Sequence, residues 1–244
     1  MSPAPASSAE TLLRVEQVSA GYGLMPVLHG LSIEVRAAEI VALVGSNGAG
    51  KTTLLRVLSR LLPCSGTLRF NGQDLAAMTP DQAFGHGLVQ VPEGRQLFDR
   101  MTVQDNLLMG AFRRHDKAAV ARDLQGMYQL FPRLGERRRQ LAGSMSGGEQ
   151  QMCAMARALM AAPVLMMIDE MSLGLAPVIV DQLTEVLAEI RKNGVTVLLV
   201  EQDVQVALGA ADRAYVIENG GVTLAGAARD LIDDPAVQQA YLGV

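Results

Sequence analysis

The chain has no tryptophan, only two cysteines and three histidines, and aromatic residues make up 4% of its 244 positions. Cys64 and Cys153 lie in unrelated contexts, which excludes a disulfide framework. The scattered histidines show no metal-ligand spacing, which excludes a zinc module. No apolar run approaches the roughly 18 residues needed to span a bilayer; the longest candidate, residues 158–168, is broken by Pro163. An excess of positive charge is also missing. Lys and Arg total 21 against 25 Asp and Glu, for a formal net charge of −4 and a pI near 5.4. That balance excludes broad electrostatic attachment to nucleic acid. Residues 1–10 carry Ser, Ala and Pro without a basic or apolar stretch, so they are not a signal peptide and read as a disordered tail. These absences together describe a reduced, cytoplasmic protein.

What is present is ordinary globular material, 49% hydrophobic and 19% charged. The length suits one large two-lobed domain or two closely joined ones. Residues 12–18 and 31–35 alternate as half-buried strands do, whereas 40–44 form a continuous apolar run expected of a strand buried on both faces. A helix is expected from Lys51 to about Leu61, and a strand over 66–70 closed by the Asn71-Gly72 turn signal. The middle reads as helical over 102–110, 117–131 and 147–161. Two apolar strands, 164–168 and 195–200, flank an amphipathic helix over 177–192 with Leu183, Val186, Leu187 and Ile190 on one face, a strand–helix–strand unit of a parallel sheet. Residues 214–218 and 222–225, joined by Asn219-Gly220-Gly221, read as a hairpin, and two short helices follow.

Three stretches carry chemistry. Gly45-Ser46-Asn47-Gly48-Ala49-Gly50-Lys51-Thr52 matches G-x-x-x-x-G-K-[ST] between a buried strand and a helix. Its glycines let backbone N–H groups surround a phosphate at the positive end of the helix, with Thr53 continuing that first turn. Lys51 reaches the outer phosphate oxygens and Thr52 offers a hydroxyl to Mg²⁺. The strand ending in Asp169-Glu170 would open beside that loop, because parallel sheets place their sites at the carboxyl ends of strands. Asp169 there suits Mg²⁺, and Glu170 suits a general base that polarises water. The third stretch, Met145-Ser146-Gly147-Gly148-Glu149, sits just before a helix start, another anion-binding geometry. Acids that only cap a helix, or a Ser/Gly cap, would explain the second or third stretch alone, but not all three in this order.

The third stretch resembles the signature segment of the ABC ATPase family, and the resemblance runs from about residue 11 to the end of the chain. It implies an α/β fold: a P-loop NTPase of ABC ATPase type, with a RecA-like parallel-sheet core, an N-terminal antiparallel β subdomain and an inserted α-helical subdomain. Residues 11–244 would form one such domain, the core and β lobe at about 11–92 and 162–244 and the helical lobe at about 93–161. It implies that Tyr22 stacks on adenine. It further implies that Ser146, Gly147, Gly148 and Glu149 close on ATP held by a second ATPase subunit in a head-to-tail dimer.

Three positions depart from the usual family pattern. Glu93 stands where Gln is usual, near Mg²⁺ and the attacking water. Gln202 replaces the usual switch histidine; it can hydrogen-bond but cannot carry a proton. The usual aspartate after the second acid is missing from Ser172-Leu173-Gly174-Leu175-Ala176-Pro177. With the stretch 91–112, Leu198-Leu199-Val200-Glu201-Gln202-Asp203 and Ala240-Tyr241-Leu242-Gly243, these features resemble the LivF type. That type comprises ATP-binding subunits of importers for branched-chain amino acids, with relatives serving other amino acids, amides and urea. Met171 stands where proline is usual, which implies a less rigid turn after Glu170.

The resemblance implies ATP and Mg²⁺ as cofactors. As partners it implies two transmembrane permease subunits, a second ABC ATPase and, indirectly, a periplasmic or extracellular solute-binding protein, on the inner face of a prokaryotic membrane. Arg95 and Arg100 are candidates for the groove that takes a permease helix, and the Arg133–Arg139 cluster reads as a solvated face. The alternative is a nucleotide sensor or a non-transport ABC ATPase. Glu170 speaks against the sensor. The single cassette without long heptads speaks against a repair or translation factor.

Overall fold

The computed structural model describes residues 11–239. The tail expected at 1–10 and the Ala240-Tyr241-Leu242-Gly243 motif lie outside the described residues. The chain opens with two long strands, β1 (Thr11–Tyr22) and β2 (Met25–Arg36), paired antiparallel across the turn at Gly23. β3 (Ile40–Val44) follows, buried at every position, and runs through the glycine loop into α1 (Lys51–Leu58). Next come β4 (Ser65–Phe70) and β5 (Gln73–Asp74), joined by Asn71-Gly72 as the sequence suggests. α1 stops three residues short of the sequence expectation because Arg60 enters the left-handed region at φ 62°, which a helix does not tolerate.

α2 (Pro80–Gly85) starts on a Thr79 capping box and leads into β6 (Leu88–Val91). Four helices then intervene before the sheet resumes: α3 (Val103–Gly110), α4 (Lys117–Leu130), α5 (Pro132–Glu136) and α6 (Gly147–Leu159). β7 (Leu165–Asp169), α7 (Pro177–Lys192) and β8 (Thr196–Glu201) form the anticipated strand–helix–strand unit. The buried stripe of α7 is Val180, Leu183, Leu187 and Ile190, with Val186 only partly covered. The described chain ends with α8 (Val204–Ala210), the hairpin β9 (Arg213–Glu218) and β10 (Gly221–Ala227), and the short α9 (Ala228–Leu231) and α10 (Pro235–Val237).

The strands form two sheets. One is antiparallel, in the order β2-β1-β4-β5; the other has the order β10-β9-β3-β8-β7-β6, parallel except for the β10 edge. Because side chains alternate across a strand, β7 and β8 send successive residues to opposite sides. Leu165, Met167, Leu198 and Val200 pack with α1 and the antiparallel sheet. Met166, Ile168, Val197 and Leu199 pack with residues of α6 and α7. β3, β8 and β7 lie side by side, so their carboxyl ends, and the loops that follow, converge. In register Val44 is paired with Glu201 and Val200 with Asp169.

The cysteines are free, as expected among the described residues. Cys153 is buried on α6, and burial pushes its thiol up to about 12, which leaves it inert as a nucleophile.

Candidate active site

The loop after β3 is shaped by two glycines in the left-handed region, Gly48 at φ 82° and Gly50 at φ 109°. A side chain at either would be strained. Gly50 caps α1 without a side-chain acceptor, so the N–H groups of the first turn remain open to an anion. The hairpin turn between β9 and β10 supports the loop from behind, Gly220 donating its N–H to the Ala49 carbonyl at 3.0 Å. Lys51 is only 5% exposed. Its Nζ donates to the Gly45 and Ser46 carbonyls at 2.7 and 3.2 Å and lies 3.9 Å from Glu170 Oε1. Ser46 and Asn47 are exposed on the loop, Thr52 faces the cleft and Thr53 is buried on the other side of α1.

Asp169 and Glu170 are adjacent in sequence but are set apart by backbone conformation. Glu170 sits at φ 49°, a left-handed geometry for a non-glycine residue, which costs free energy and needs support. Its N–H donates to the Val200 carbonyl at 2.8 Å. This twist sends Glu170 toward Lys51, while Asp169 lines a separate cleft of about 450 Å³ with Thr52, Arg56, Glu93 and Gln96. Asp169 is 2% exposed, and its Oδ1 has no hydrogen-bond partner among the described residues. Burial, then Glu170 and Glu93, push its carboxyl up to about 6 against the opposing pull of Lys51 and Arg56.

An orphaned buried carboxylate oxygen beside a threonine hydroxyl and a second carboxylate is a hard oxygen set that fits Mg²⁺. Among the described residues no cluster of three or more His, Cys, Asp or Glu residues is built for a metal alone. An ion there would share its coordination with the phosphates of a nucleotide, as Mg²⁺ does in phosphoryl-transfer sites.

Gln202 is exposed beyond the end of β8 and lines a neighbouring cleft of about 520 Å³ with Glu170, Ser172, Leu173, Gly174 and Glu201. Tyr22 is 42% exposed. Its hydroxyl accepts a hydrogen bond from Arg56 Nη1 at 3.0 Å, and the guanidinium lies 5.7 Å from the ring centre. The ring, at the end of β1, therefore stands beside α1, the helix that follows the phosphate loop.

Ser146, Gly147, Gly148 and Glu149 start α6 through a reciprocal capping box. Glu149 Oε2 accepts from the Ser146 N–H and hydroxyl at 3.0 and 2.9 Å, while Oε1 pairs with Arg137 Nε at 2.9 Å. Gly148 packs so closely on Ile179 that a Cβ there would lie 2.7 Å from a side-chain carbon. No hydrogen bond or ion pair joins these four residues to the phosphate loop among the described residues.

Two sequence expectations need correction. Arg95 does not line the neighbouring groove. It is held at φ 66°, and its guanidinium turns toward Gly147 and Gln150. The groove, about 310 Å³, is apolar, with Phe84, Phe98, Met109, Phe112 and Ala158 around Arg157, and Arg100 is exposed away from its lining. Arg133, Arg138 and Arg139 are exposed, as a solvated face requires, and Arg137, with its side chain 41% exposed, also pairs with Glu149. The turn after Glu170 is anchored rather than loosened by Met171, which is 1% exposed in the core, and Ser172 is bound on its N–H and hydroxyl by Glu201. Glu201 carried no signal in the sequence beyond being an acid next to Gln202.

The fold and the site together define a nucleoside-triphosphatase cassette of the phosphate-loop class. Residues 28–172 match the family model described as ABC transporter. The chain is 46% identical over 233 residues to the high-affinity branched-chain amino acid transport ATP-binding protein BraG of Pseudomonas aeruginosa, covering 95% of this chain and 100% of that one. It is 32% identical to the probable branched-chain amino acid transport ATP-binding protein LivF of Archaeoglobus fulgidus, covering 96% and 99%. The solved ADP conformation of MJ1267, an ATP-binding cassette of an ABC transporter, superposes with a TM-score of 0.82 at 25% identity, covering 97% and 100%. The chain belongs to the ABC transporter family, as an ATP-binding and ATP-hydrolysing subunit.

Proposed function

We propose that the chain drives an importer for branched-chain amino acids, or for related amino acids, amides or urea. It works as one of two ATPases in a head-to-tail dimer, on a permease of two transmembrane subunits fed by a solute-binding protein outside the cell. The observation that carries the solute class is the 46% identity to BraG along nearly the whole chain, not the active-site geometry. In this reading residues 11–244 are one ABC ATPase domain, with 93–161 as its helical lobe, at the cytoplasmic face of a prokaryotic membrane.

ATP is held by the loop 45–52 and Thr53, with Tyr22 against the adenine. Mg²⁺, when bound, neutralises charge between the outer phosphates, with Thr52, Asp169 and Glu93 as its protein-side oxygens. Glu170 orients water for attack in line with the leaving oxygen, and Gln202 hydrogen-bonds near the transferred phosphoryl group. Ser146, Gly147 and Gly148 meet the nucleotide of the second ATPase and complete its electrostatic cage. The carboxylate of Glu149 is taken up by the cap of α6 and by Arg137, so its part is to hold that segment in shape. Leu173 and Val178, exposed at 53% and 61% near these residues, supply apolar contact for the second subunit. The groove around Phe98 and Phe112 suits an amphipathic helix of the permease.

The test is to tag the chain in its native host, extract membranes in mild detergent and identify what co-purifies. Two multi-span proteins, a second ATPase and stimulation by a branched-chain amino acid with its binding protein are the expected result. Recovery of soluble partners only would overturn the transporter reading and leave the ATPase chemistry standing.

A further inference from the structure

Glu201 ends β8 at the centre of the parallel sheet, in register with Val44, the last residue before the phosphate loop. Every other residue of β8 is buried, and all but Thr196 are aliphatic. Glu201 is 1% exposed. Removing a carboxylate from water costs several kcal/mol unless hydrogen bonds offset it, and an aliphatic residue would finish the strand without that cost. The bonds that offset it are specific. One oxygen accepts the N–H of Ser172 at 3.0 Å, and the other accepts the Ser172 hydroxyl at 2.8 Å.

Ser172 and Glu201 lie on the two segments that flank the cleft. Ser172 is two residues beyond Glu170, on the same turn, and Gln202 is the next residue after Glu201. Glu170 is held in the left-handed region and has one backbone tether to β8, through the Val200 carbonyl at 2.8 Å. The Ser172–Glu201 pair is a second tether on the far side of the same residue. Two fixed points on either side of a left-handed glutamate set the direction in which its side chain leaves the turn, and Lys51 Nζ, 3.9 Å from Oε1, faces the carboxylate.

We propose that Glu201 is a positioning residue for ATP hydrolysis: its buried carboxylate ties the turn that carries Glu170 to the strand end that carries Gln202, and so fixes the two across the cleft. This rests on the assignment of Glu170 as the base. Glu201 is 1% exposed and both its carboxylate oxygens are taken up by Ser172, so its loss is expected to act on turnover and to leave nucleotide affinity alone.

The test uses the transporter complex purified from the native host with the tagged chain. ATP turnover, KM and thermal stability are measured for Glu201→Ala, Glu201→Gln, Ser172→Ala and the reference Glu170→Gln. Misplacing a reacting group by about 1 Å costs up to about 100-fold. Glu201→Ala is therefore expected to lower kcat by about 10- to 100-fold with KM within about twofold. Glu201→Gln, which still accepts the Ser172 N–H, restores kcat to within about threefold of the parent. Ser172→Ala falls between, and adding it to Glu201→Ala lowers kcat no further. If Glu201→Ala fails to assemble, Ser172→Ala carries the same test, because it removes one bond without emptying the buried site. Parental kcat in Glu201→Ala, or in Ser172→Ala where that variant stands in, would overturn the proposal. So would a parallel loss of kcat, KM and thermal stability that Glu201→Gln shares. Parental turnover in Glu170→Gln would instead remove the base assignment, and the tether as a device for hydrolysis with it.

Discussion

Lys51, Asp169 and Glu170 lie near one another at the carboxyl ends of the central strands, yet they are expected to respond differently to substitution. Glu170→Gln keeps the shape of the side chain but cannot take a proton. Hydrolysis should fall by about 10²- to 10⁴-fold, typical of a lost general base, with ATP affinity unchanged by fluorescent-nucleotide titration. Lys51→Ala removes the buried cation from the phosphate cradle, so the same titration should show weakened binding. Asp169 adds a stability effect. Its carboxyl is raised from the ordinary 3.8 to about 6 in the folded chain. The folded state therefore holds its proton more tightly than the unfolded state does. The resulting stability is present below the unfolded value and is lost as pH rises through about 6. The displacement corresponds to roughly 3 kcal/mol. Asp169→Asn should thus raise the melting temperature of the nucleotide-free protein at pH 7.5, with little gain at pH 4, while abolishing Mg²⁺-dependent hydrolysis. A variant less stable than its parent at both pH values would contradict the origin assigned to the shift.

Elements with a strong local pattern were legible. The continuous apolar run predicted β3, the glycine–lysine loop predicted the start of α1, and the 3.6-residue stripe predicted α7 over the range observed. β6 and α8 were not anticipated. β6 has four residues, too short for a period, and it exists because β7 offers it an edge. α8 depends on the Asp203 side chain accepting the Val206 N–H, a cap that resembles any polar turn. At the site, the phosphate loop and the acid pair could be read because each is continuous in sequence. Glu201 and the direction of Arg95 could not. The first follows from the register of β8 against its neighbours, the second from one backbone angle. α6 depends on the close fit of its first turn. Gly148→Val would drive side-chain carbon into Ile179 and should cost about 1–3 kcal/mol of stability, seen as a lower urea midpoint. Ser146→Ala, which removes the cap, should cost about 1 kcal/mol.

For the molecule as a whole, the proposed docking groove is lined by the C-terminal half of α6, and the segment proposed to meet the second ATPase starts the same helix. Phe112 is 66% exposed at the rim of the apolar groove. Phe112→Asp should abolish co-purification of membrane proteins while nucleotide binding stays at the parental level. Loss of both would mean that the substitution unfolds the chain rather than blocking a partner.

α6 joins these surfaces. It begins at Ser146 and ends beside the groove, where Arg157 donates to the Arg95 carbonyl at 3.2 Å and lies 5.5 Å from the centre of the Phe98 ring. Thirteen residues of helix make a rod about 20 Å long, clamped at both ends and largely buried between them. A load applied at the groove would reach the helix start as a movement of the whole element. In the proposed assembly α6 would act as a crank whose two handles face different neighbours, the permease at the groove and the second ATPase at the helix start.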